Sequence, residues 1–134
     1  MRRLRDNESG LAAVEFALVV PVLIVLILGS LEYSFILFTQ NIGQNAVRDI
    51  ARQLATQRLT TESAPSAVKA QLPRWASNDA VVTVSQSAQS DPAKNAFSVA
   101  VSIPRQAATP INFFFQASGG TVTAKAVFQQ EVSS

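Results

Sequence analysis

Between Leu11 and Leu31 the chain reads LAAVEFALVVPVLIVLILGSL, and Glu15 is the one ionisable residue in that run. Coiled as an α-helix it covers about 30 Å, the thickness of a bilayer's hydrocarbon core. Lipid offers no hydrogen-bond partner to a bare peptide group, so a segment of this kind is confined to a helix. The composition agrees with a membrane segment: 48% of residues are apolar and 15% are charged, against roughly 25% charged in an average soluble domain.

The flanks of the run set an orientation. MRRLRDNESG, residues 1–10, carries Arg2, Arg3 and Arg5, whereas beyond the run Glu32 is the only charge before Arg48. The positive-inside rule then predicts a cytoplasmic N-terminus, a single pass and an exported C-terminal part. A removable secretory signal needs a small-x-small site after its apolar core, and Leu28-Gly29-Ser30 offers a large residue at the first position.

The helical pattern continues past the membrane. Ile42, Ala46, Ile50 and Leu54, joined by Val47, Ala51 and Ala55, recur at spacings of three and four, with Arg48, Asp49, Arg52, Gln53 and Arg58 between them. The spacing predicts one helix from near Leu11 to about Leu59, divided into a transmembrane segment over 11–32 and an amphipathic extension over 33–59. An extracytoplasmic α+β head over 60–134 follows. In it, Pro65 to Leu72 reads as a short helix capped by Ser63. Alternating apolar residues then mark three strands: Val82 and Val84; Phe97, Val99, Val101 and Ile103; Val122, Ala124, Ala126 and Phe128. Ser90 to Asn95 is expected to join the first two as a hairpin, and Ser118-Gly119-Gly120 to turn into the third. The expected fold is therefore α+β, a long helix packed through its Ile42 to Leu54 stripe on an antiparallel sheet of about three strands. Ile111, Phe113, Phe114 and Phe115 fall in the loop before the third strand. Some are expected in the core and others partly exposed at a partner contact.

The chain has no cysteine and no histidine. That removes disulfides, Cys/His metal sites, thiol nucleophiles and His-based triads. No general base or Gly-x-Ser-x-Gly elbow accompanies its serines, and Gly119-Gly120 lacks the lysine of a phosphate loop. No enzyme chemistry, cofactor or metal is expected. Basic residues are dispersed, and the formal charge of +2 is no nucleic-acid footprint. Arg48, Arg52 and Arg58 read as a solvated helix face, and Glu32 as a marker of the outer membrane boundary.

Glu15 stands apart from these. A carboxylate in an apolar span costs on the order of 2 to 3 kcal/mol unless it is protonated or paired. Cutting after Gly10 creates an ammonium at Leu11, and helices assembling side by side with a stagger can bring that charge to a neighbour's Glu15. The pair then sets register while relieving the cost. Pro21 has no amide hydrogen to offer Ala17. It reads equally as a flexible point easing extraction from the bilayer and as a tolerated membrane proline.

A basic leader ending in Gly10, then Leu11-Ala12-Ala13-Val14-Glu15-Phe16 at the cytoplasmic edge of an apolar helix, resembles a type IV prepilin-class leader. With Ala17 to Pro21, Gly29-Ser30-Leu31-Glu32 and Gln44 to Arg52, the segment from about residue 3 to 55 resembles the TadE-like pseudopilins of tight-adherence (Tad/Flp) pilus systems. Its Glu15-Phe16 pair and its length depart from the major Flp subunit, and it is short for TadG-like members. The resemblance implies a minor pilin cut between Gly10 and Leu11 by a membrane-embedded prepilin peptidase. It implies Glu15 and Phe16 as assembly residues, and as partners other pilins and assembly-platform proteins, met through the N-terminal helix in the bilayer of a bacterial inner membrane. Incorporation into an extracellular pilus is left open. The competing reading is an uncleaved, signal-anchored periplasmic binding module with a ligand site near Phe113 to Phe115.

Overall fold

The computed structural model describes residues 3–88, 90–91, 93–115 and 119–131, with side chains of that set from residue 10 onward. Met1 and Arg2 of the basic leader, Pro92 of the hairpin loop and Ser118 of the second turn lie outside the described residues. Helix α1 runs Arg3–Ala55, and the chain divides into two compact units, Met1–Leu31 and Glu32–Ser134.

The described part of the first unit is helical throughout. The helix extends N-terminal of the expected start at Leu11, because arginine, leucine and glutamate are good helix formers and Gly10 weakens a helix without stopping it. The most apolar window of this helix has a mean hydropathy of 2.9 and none of it is buried inside the chain. Ser30, within the apolar run, is accommodated by the helix itself: its Oγ donates to the Leu26 carbonyl at 2.8 Å, so this hydroxyl is not left bare in an apolar setting.

In the second unit, α1 is followed by α2 (Ala64–Gln71), α3 (Arg74–Ser77), β1 (Val81–Gln86), β2 (Ala96–Pro104), a 3₁₀ turn (Arg105–Ala107) and β3 (Thr121–Gln129). The strands form an antiparallel meander in the order β1-β2-β3, with Val84 opposite Val99 and Val99 opposite Ala126. The α+β expectation holds, as do the three strands and the hairpin between the first two. Ser87 closes that hairpin: its hydroxyl accepts the Ala96 N–H at 2.8 Å and donates to the Lys94 carbonyl at 3.2 Å.

The core lies between the sheet and α1. Ala46, Val47, Ile50, Ala51, Leu54 and Ala55 are buried on the helix side, and Phe97, Val99, Val101, Ile103, Val122, Ala124 and Ala126 on the sheet side. Burying one isoleucine- or leucine-sized side chain contributes about 1.5 to 3 kcal/mol, while the alanines let the helix approach closely. At Gly43 the helix backbone passes close to the sheet, where a Cβ would lie 3.5 Å from Val101 Cγ1 and 3.8 Å from Ala124 Cβ. Val68 and Leu72 extend the same core. Asp49 ties the two helical layers, accepting from Gln53 Nε2 at 3.0 Å and from Gln71 Nε2 at 2.8 Å.

Three local expectations differ from the structure. Ser63 precedes α2, and Pro65 sits in its first turn, but Ser63 has helical φ and ψ and makes no side-chain cap. Its hydroxyl donates to the Thr60 carbonyl at 3.0 Å instead. Helix α3 carries no apolar period in four residues and was not expected. The third difference is the end of α1, at Ala55 and not Leu59. Gln57 adopts φ 56°, with Gln57 N–H donating to Leu54 O and Arg58 N–H to Gln53 O at 2.9 Å. This is a Schellman closure with glutamine at the position where glycine is usual, so nothing in the sequence marked the stop. A left-handed conformation costs an L-residue roughly 1 to 2 kcal/mol, partly offset by glycine's larger entropy loss. Gln57→Gly is therefore expected to stabilise the protein by about 0.5 to 1 kcal/mol, read as a rise of a few degrees in the thermal midpoint. An unchanged or lowered midpoint would contradict the strain.

Candidate functional site

Gly10, Leu11, Glu15, Phe16 and Pro21 all lie on α1. A Cβ built on Gly10 would meet nothing within 4 Å. Packing among the described residues thus supplies no reason for glycine there, although glycine weakens a helix by about 1 kcal/mol relative to alanine. Leu11 is 63% exposed and Phe16 is 70% exposed. Glu15 is also exposed, and among the described residues it has neither a hydrogen bond nor an ion pair. Leu11 and Glu15 are four apart and share a helix face. Pro21 is accommodated inside the helix. The chain therefore presents an apolar surface with one unpartnered carboxylate on it.

The second constellation centres on Glu32, and it corrects the expectation that this residue merely marks a membrane boundary. Glu32 is fully buried at 0% exposure. One carboxylate oxygen accepts the Phe114 N–H at 2.9 Å and the other accepts the Phe115 N–H at 3.1 Å. An irregular loop leaves its backbone donors without a ladder, and a buried carboxylate with two acceptor oxygens supplies both partners at once. Nothing in the sequence links positions 82 and 83 residues apart, so this bond pair was invisible before folding.

Thr39, two turns further along α1 on the same face, is also fully buried. Its hydroxyl donates to the Ala108 carbonyl at 2.7 Å and accepts from Trp75 Nε1 at 3.3 Å. The Trp75 ring meets Phe35 edge-on at 5.9 Å. Glu32 and Thr39 thus hold both ends of the stretch from Ala108 to Phe115 against the helix. Within the stretch Thr109 Oγ1 donates to Ile111 O at 2.9 Å and accepts from Ile111 N–H at 3.1 Å.

The four apolar residues of this loop divide as the sequence led one to expect. Ile111 and Phe115 are half-buried, Phe115 packing against the core, while Phe113 and Phe114 are 61% and 42% exposed. Beside them Tyr33, Ile36, Leu37, Gln40, Arg105, Phe115 and Thr121 to Thr123 line a cleft of about 330 Å³. The Arg105 guanidinium lies 5.6 Å from the centre of the Phe115 ring. Arg48, Arg52 and Arg58 are exposed. Among the described residues there is no cluster of acidic side chains able to hold a metal ion.

No match is found among curated proteins or among solved structures. The family model described as TadE-like protein matches residues 10–52, from the glycine before the apolar run to the last exposed arginine of α1. That span contains every residue singled out above on the helix, from Gly10 and Glu15 to Glu32 and Thr39, and over this segment, about a third of its length, the chain is similar to the TadE-like family.

Proposed function

We propose that this TadE-like chain is a minor pilin, or pseudopilin, that contributes to biogenesis of a Tad-type (Flp) adhesive pilus. A membrane-embedded prepilin peptidase cuts between Gly10 and Leu11, leaving 124 of the 134 residues. The mature helix stays in the bacterial inner membrane as a single pass, N-terminus on the cytoplasmic side and head outside. It meets other pilins and assembly-platform proteins through α1. The chain is the peptidase's substrate and does no catalysis of its own; it uses no metal, cofactor or nucleic acid.

The observation that carries this reading is a glycine in a helix with open space around it, five residues before an exposed carboxylate that has no partner within the described chain. A free carboxylate on an apolar helix is costly in lipid and becomes useful when a neighbour's ammonium neutralises it. Glycine suits the cut because it is the ordinary residue most easily unwound from a helix into the extended form a protease cleft accepts.

The test is the N-terminal sequence and intact mass of the protein recovered from its native membrane, with and without the cognate peptidase. The expected result is a chain beginning at Leu11 only when the peptidase is present. A chain beginning at Met1 in both cases overturns the reading. It favours instead the uncleaved, signal-anchored periplasmic binding module, whose ligand site would be the cleft at Arg105 and Phe115.

A further inference from the structure

We infer that the loop ending at Phe115 is a bilayer-surface anchor, in which Phe113 and Phe114 enter the lipid at the outer end of the membrane-crossing run while Arg105 faces the lipid phosphates. The inference rests on the reading of residues 11–31 as a membrane span.

The aromatic pair itself is the first observation. Phe113 and Phe114 are neighbours in sequence, largely exposed, and stacked edge-to-face with ring centres 5.1 Å apart. Two adjacent exposed rings on a loop form an apolar patch that water solvates poorly. The apolar surface continues on the helix nearby, where Tyr33, Leu37 and Phe38 are 56%, 40% and 50% exposed.

Placement is the second. The loop's backbone is bound at Phe114 and Phe115 by the carboxylate of Glu32, and Glu32 directly follows Leu31, the last residue of the apolar run. The backbone that carries the rings is thus bonded to the first residue after the apolar run. Aromatic side chains are enriched where a span leaves the hydrocarbon.

Charge is the third. Arg105 lies in the cleft with Tyr33 and Gln40, its guanidinium over Phe115, and no carboxylate forms an ion pair with it among the described residues. An exposed aromatic pair with a cation beside the next ring in the chain combines the groups that a leaflet surface takes up, apolar rings for the acyl chains and a guanidinium for the phosphates.

Because the chain has no cysteine, single spin labels can be placed without removing native thiols. The full chain is labelled in turn at Asn112→Cys, Phe113→Cys, Leu23→Cys within the span and Val81→Cys on β1, all four positions being exposed. Each is reconstituted in vesicles of phosphatidylethanolamine and phosphatidylglycerol, and its collisional access to oxygen, which concentrates in lipid, is compared with access to a water-soluble nickel chelate. The expected oxygen-to-nickel ratio is several-fold higher at 112 and 113 than at 81, and highest at 23. If 23 reports lipid while 112 and 113 match 81, the loop is in water and the anchor is overturned alone. Labels at 112 and 113 shielded from both reagents report a protein contact, which also overturns it. A water-like ratio at 23 removes the membrane span itself, and with it both this anchor and the single-pass topology on which it stands.

Discussion

Replacing Glu32 by alanine is expected to destabilise the second unit by about 2 to 5 kcal/mol. Two backbone donors, the amides of Phe114 and Phe115, lose their acceptors together, and an orphaned, partly buried donor costs about 1 to 3 kcal/mol. That is a large share of the 5 to 15 kcal/mol that holds a typical domain together. Glu32→Gln separates shape from chemistry. It fills the same space, yet only one of its terminal atoms accepts, so one amide faces an amino group and a substantial part of the loss remains. Urea unfolding of the full chain in detergent checks both variants, followed through Trp75, the chain's single tryptophan. Its indole is bonded to Thr39 on the same helix. An alanine variant within about 0.5 kcal/mol of the native protein, the range of ordinary surface substitutions, would show that the two bonds are not made.

For Glu15→Ala the expected effect lies in assembly and not in folding. Glu15 is exposed and touches no described partner, so the isolated chain should keep its stability and still be cut after Gly10. In the proposed assembly the substitution leaves a neighbour's Leu11 ammonium uncompensated in an apolar setting. Removing one member of a buried ion pair costs about 3 to 5 kcal/mol. At ~1.4 kcal/mol per decade this weakens each such contact by at least about a hundredfold. Pilus yield from a strain carrying the variant, normalised to the amount of cleaved protein in the membrane, is the measurement. Normal pili at normal protein levels would remove Glu15 from the assembly mechanism while leaving the cleavage site intact.

The proposals for the two carboxylates come from opposite directions. Glu15 stood out in the sequence because it interrupts an apolar run, and folding does nothing to satisfy it. Glu32 looked ordinary at the edge of the same run, and folding buries it completely. Burial on one helix is a property of its tertiary neighbours, so periodicity along α1 could not separate the two. Thr39 shows the same thing: a threonine within a helix has no distinguishing spacing, and its role depends on Ala108 and Trp75 arriving from elsewhere.

The sequence by itself determined what repeats at short range. The membrane-length run, the Ile42 to Leu54 stripe and the alternation in β1, β2 and β3 each follow from how side chains project from a helix or a strand. Only the tertiary structure decided the rest. Helix α1 stops at Ala55 through a left-handed Gln57, where a glycine would have been the visible signal. The Phe113 to Phe115 loop takes its place from a carboxylate 82 residues away. Hydrophobic periodicity is written locally, whereas the hydrogen bonds that position irregular backbone are made only between segments that folding has already brought together.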